Sequence, residues 1–126
     1  MDFDVADSSG FMMDQNKLPE SDWQIFREVR LSALERFCEN ILKEIEKEIA
    51  HPGSSGHKRY LEVYNVLMER DSEIADLFND NRRSTALFQI MKMHSRGLIP
   101  DEEFSRFGLR TRQWLNRDLS AQSREL

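Results

Sequence analysis

The chain is poor in several features, and each shortage excludes something. A single cysteine, Cys38, cannot close an internal disulfide, which points to a reducing, cytoplasmic setting. Five glycines and three prolines in 126 residues supply too little turn chemistry for an all-β fold. No apolar run approaches the ~18 residues that a membrane span needs. The N-terminal stretch MDFDVADSSG lacks the basic and apolar segments of a secretory signal. There is no P-loop, GxGxxG, GxSxG or HExxH, and no CxxC. His51, His57 and His94 do not combine with Cys38 at zinc-ligand spacing, and nothing in the sequence calls for a cofactor.

What is present is helical pattern. Hydrophobic residues make up 39% and charged residues 33%, and eight Phe and two Trp argue against a wholly disordered chain. Residues 1–17 carry Asp2, Asp4, Asp7 and Asp14 against Lys17 and show no sustained period, so they read as a disordered acidic tail. From Ser21, which stands at capping-box spacing from Gln24, apolar residues recur at helical intervals from Trp23 to Ile49. They cover an arc of roughly 220°, far wider than the ~100° stripe of an ordinary surface helix. So wide a face should touch more than one neighbour. It favours a homodimer over a monomer, with Trp23, Phe26 and Phe37 as candidates for a shared surface.

A second helix is expected over His57–Phe78, its face drawn by Tyr60, Tyr64, Leu67, Ile74 and Phe78. Asp71 projects onto the middle of that face. A third helix should run from Arg82 to Arg96 and stop at Gly97, with Arg83 and His94 projecting onto its buried face. Asp71, Arg83 and His94 are therefore expected to form a buried polar cluster, Asp71 being mostly buried and bonded. Two short helices should follow, one capped by Asp101 and one over Leu109–Leu119. The expectation is an all-α domain over residues 18–120, built as an antiparallel bundle of three main helices and two short C-terminal ones. Residues 121–126 should fray.

Two family patterns are visible. Glu73 and Asp76 form ExxD, and Glu44 and Glu48 stand four apart, which resembles the all-α nucleoside triphosphate pyrophosphohydrolases (the MazG-like group). Ile45 occupies the place of that family's second glutamate in EExxE. The resemblance implies a divalent metal held by Glu44, Glu48, Glu73 and Asp76. Residues 87–107, with Leu87, Ile90 and Met91 before Gly97-Leu98-Ile99-Pro100-Asp101-Glu102-Glu103-Phe104, resemble the short C-terminal helical (SHOCT) pattern, which implies protein association.

Charge is divided unevenly. Residues 1–81 hold 18 acids and 9 bases, and residues 82–126 hold 5 acids and 9 bases, of which eight are arginine. The arginine-rich third, with Arg106, Arg110, Arg112 and Arg117 around Trp114, raises a nucleic-acid reading. The net charge of −5 disfavours long-range attraction to a polyanion. Pairing of these arginines with the acids of the first two helices accounts for the same asymmetry. The reading that combines these features is a non-catalytic protein-interaction or regulatory module, acting on itself or another protein and not on a membrane.

Overall fold

The computed structural model describes residues 18–116. The expected tail over 1–17 and the frayed end over 121–126 lie outside them. The described residues are all-α, with no strand among them. Helix α1 spans Glu20–Ile49 and α2 spans Gly56–Phe78. A single 3-10 turn over Arg83–Thr85 leads into α3, Ala86–Ser95. Helix α4 is one turn, Asp101–Phe104, and residues 109–116 are helical again.

Thirty helical residues make α1 about 45 Å long. It starts earlier than the capping-box spacing suggests. Pro19 is its N-cap, Ser21 is already inside it, and Gln24 bonds Glu20 instead of reaching back. Proline suits this place because the first helical N–H groups need no acceptor within the helix. Ala50 closes α1, and Gly53, at φ 77°, turns the chain. Ser55 then caps α2 by accepting from Lys58 N. At the C-terminus of α3, Gly97 has φ 73°, Leu98 N donates to Met93 O and Gly97 N donates to His94 O. That is the paired bonding of a Schellman stop, and only a residue free to adopt positive φ makes it cheaply.

Long-range bonds fix the course of α1 against α2. Arg59 donates to Ile49 O, Arg70 to Glu44, and Arg30 to Phe78 O. The partner number falls along α1 as it rises along α2, so the two helices run antiparallel. The core lies at one end of this hairpin. Phe26, Val29, Ala33, Phe37 and Ile41 of α1 meet Leu77 and Phe78 of α2. Ala86, Leu87, Ile90 and Met93 of α3 pack on them, and Leu98, Ile99, Phe107 and Leu115 complete the cluster. Helix α3 packs against both α1 and α2, but at 10 residues it is a third of the length of α1. The opposite end of the hairpin projects as a two-helix arm.

Most of the wide apolar arc of α1, up to Ile41, is thus used to make this core. Phe26 and Phe37 are 1% and 7% exposed, so they belong to the interior and not to a shared surface. Trp23 is half-buried, stacked on Phe26 and overlaid by the Arg27 guanidinium. Cys38 is a half-buried free thiol.

One buried carboxylate ties the ends of the domain together. Asp22, 2% exposed, accepts from Thr111 Oγ1 at 2.6 Å and from Gly108 N at 3.0 Å. It stands at the N-terminal end of the helical residues 109–116, where the helix dipole and free N–H groups favour negative charge. Removing it strips a buried hydroxyl and a partly buried amide of their acceptor. Asp22→Ala should cost about 2–3 kcal/mol, read as a fall of about 10–15 °C in a thermal melt. Thr111→Val should cost less, and the double variant should fall short of the sum because both act on one contact.

Candidate functional site

The polar cluster expected from periodicity is not assembled. Asp71 is exposed. Arg83 donates to Leu18 O at 2.8 Å and pairs with Glu20 at 3.0 Å. His94 stacks on Phe104, with ring centroids 4.3 Å apart. The cause lies in which stripe of α2 faces inward. The helix turns Arg59, Val63, Val66, Arg70 and Leu77 toward α1, a line rotated from Tyr60, Tyr64, Leu67 and Asp71. Helical projection places Asp71 correctly in the middle of an apolar stripe. That stripe points out.

Three of the four acids of the metal reading are matched by cations. Glu44 receives two bonds from Arg70, Glu73 receives Arg70 at 2.8 Å and Arg96 at 3.1 Å, and Asp76 receives Lys92 at 3.1 Å. Glu48 lies apart, lining a polar groove with His51, Lys58 and Glu62 at the α1–α2 turn. Among the described residues no three His, Cys, Asp or Glu side chains are grouped to hold a metal ion. Several arginines of the last third are likewise engaged. Arg83 pairs with Glu20, Arg96 with Glu73 and Arg106 with Glu28, while Arg112 donates to Phe107 O. In the reverse direction, Arg36 of α1 pairs with Glu103 and donates to Leu98 O. The opposite charges of the two halves meet inside one chain, and the arginines do not form a face empty of acids.

These pairings place α3 and the residues after it on one side of the α1–α2 hairpin. Among the described residues the other side is left open. On α2 it shows Tyr60, Leu61, Tyr64, Leu67 and Met68, and on α1 Leu42 and Ile49, each 43–64% exposed. Ile49 and Tyr60 line one shallow groove of about 260 Å³ at the tip of the arm, so the two helices present these side chains on a common side. Each of these side chains leaves about half of its surface in water, and rows of exposed large apolar residues mark interaction sites. Nearer the core a second groove of about 320 Å³ opens between Trp23, Arg27, Arg30, Leu31 and Asn81.

Several buried polar groups carry no sequence signal. Asp22 and Thr111 sit in stretches that read as exposed helix, and Gln89 is buried with Oε1 unpaired. The helix–Gly–helix corner at residues 87–107 is present as read from the sequence, with α3 ending at Gly97 and α4 opening at Asp101. Pro100, not Asp101, is the N-cap. No family model, curated protein or solved structure matches the chain significantly. No helix among the described residues is long and apolar enough to cross a membrane.

His94 supplies a pH dependence. Its Nδ1 is buried without a partner, and burial pushes the imidazole below its ordinary value of 6.5, against a smaller opposing pull from Asp101. The unfolded chain then binds the proton more readily than the folded one. The stability contributed by neutral His94 is full above pH 6.5 and is lost as pH falls from there through the folded value. Melting temperatures between pH 7.5 and 5 should decline in this window. His94→Phe, which keeps a ring against Phe104, should flatten the decline.

Proposed function

We propose that this chain is a non-catalytic protein-interaction module that acts through the open side of the α1–α2 hairpin. The observation that carries this reading is the row of exposed apolar side chains from Tyr60 to Met68 on α2, beside Leu42 and Ile49 on α1. Leaving such a row in water forgoes roughly 25 cal/mol for each Å² that a partner could cover. The charged groups of the molecule favour the same reading. Glu44, Glu73 and Asp76, three of the four acids that would serve a metal-dependent hydrolase, are held by arginine or lysine, and Arg106 of the arginine-rich third is held by Glu28.

A photo-reactive benzophenone side chain tests the surface directly. It is placed at Tyr64 on the open side or at Glu102 on the covered side, and the full chain is irradiated in the cells that make it. Covalent adducts with polypeptide are expected from position 64 and not from position 102. Equal yields at the two positions, or none at 64, would overturn the reading.

A further inference from the structure

The open side has a pattern that specifies its occupant. Tyr60, Tyr64, Leu67 and Asp71 are spaced four, three and four apart, the alternation of a coiled-coil seam. The seam continues through Ile74 and Phe78, where the core covers it, and is bare from Tyr60 to Asp71. Leu42 and Ile49 of α1 lie beside it, and Leu61 and Met68 edge it on the outer flank. The arm is a two-helix layer, and a helix layer buries its apolar side only against another layer.

We infer that the occupant is a second copy of this chain, docked antiparallel through a twofold axis between Tyr64 and Leu67, so that two hairpins make a four-helix bundle. This rests on the reading of the open side as a docking surface. Three features fit a copy of the same chain. The exposed row runs along the arm, Tyr60 to Met68 on α2 with Leu42 and Ile49 beside it on α1, a length that an equal arm matches. The surface spans two helices, as one half of a four-helix bundle must. The seam is also complementary to itself. An axis between Tyr64 and Leu67 sets Tyr64 against the partner's Leu67, and sets Tyr60 against the partner's Asp71. The one charged residue in the seam then meets a phenolic hydroxyl that can donate to it, at both ends of the interface. A single polar position of this kind fixes register in helix pairs.

Light scattering on the full chain, over a concentration series, reads the mass. Twice the 14.9 kDa of one chain is expected. Leu67→Glu, at an exposed position, should reduce the mass to that of one chain while the helical circular dichroism persists, and Met68→Lys should weaken association in the same direction. Tyr60→Phe and Asp71→Asn should each raise the dimer dissociation constant about tenfold. The double variant should be no weaker than either single one, because the two residues form one contact. A single-chain mass at every concentration would overturn the inference, as would a dimer insensitive to Leu67→Glu. If position 64 still gives selective adducts while the mass is that of one chain, the partner is a different protein and only the self-pairing fails. A single-chain mass with no selective adducts removes both readings.

Discussion

Helix α1 is about 45 Å long, and the helices after α2 among the described residues are too short to clothe both sides of the hairpin that α1 makes with α2. That mismatch governs the molecule. Only α3, with 10 residues, the single turn of α4 and the helical residues 109–116 are available among the described residues as cover. They gather over the first two-thirds of α1 and the end of α2, where Phe26, Phe37, Leu77 and Phe78 give them most to bury. Beyond Ile41 the hairpin runs on without them; Ile45, Val63 and Val66 find cover, while Leu42, Ile49, Tyr60, Tyr64 and Leu67 stay in water. The same constraint sets the core, the arm and the exposed row.

Electrostatics decides which side is covered. Each ion pair between the halves is partly exposed and contributes little by itself, about 0–1 kcal/mol. The pairs nevertheless agree in direction. Arg83 with Glu20, Lys92 with Asp76, Arg96 with Glu73, Arg106 with Glu28 and Glu103 with Arg36 all draw the C-terminal elements onto the side of α1 and α2 that carries those charges. Placing them on the other side would separate every pair and set Lys92, Arg96 and Arg106 against an apolar surface. The gain is mainly in specificity of packing. Asp22, buried between Gly108 and Thr111, then locks the last described helical residues to the start of α1.

The helices were legible because their signals are local. Apolar spacing, Gly53, Gly97 and the 54–56 turn give α1, α2 and α3 to within a few residues. The direction in which each stripe faces is a different kind of property. A stripe of apolar residues at Tyr60, Tyr64 and Leu67 is the same whether it meets the chain's own core or a partner, and periodicity assigns both to the interior. Hence periodicity puts Asp71 on the right stripe with the wrong surroundings, and it offers Phe26 and Phe37 to a shared surface although the core uses them. Asp22 was invisible for the opposite reason. Its partners lie 86 and 89 residues away, and no spacing links them.

Asp71 makes sense only if both facts are kept: a carboxylate centred on an apolar stripe, and solvent around it. In a buried stripe it would need a cation or a donor from within the chain, and the described structure gives it neither position nor burial for one. On a free surface it would need nothing, but then Tyr60, Tyr64 and Leu67 would have no reason to share its seam. The proposed pairing between like seams would answer both, because a copy covering the apolar residues would also bring a tyrosine hydroxyl to each carboxylate. A helix seam that is apolar except at one register position is selective about alignment as well as adhesive. Apolar area alone would let two arms slide past one another, whereas any shift from the twofold register would leave two carboxylates facing leucine or tyrosine rings without a donor.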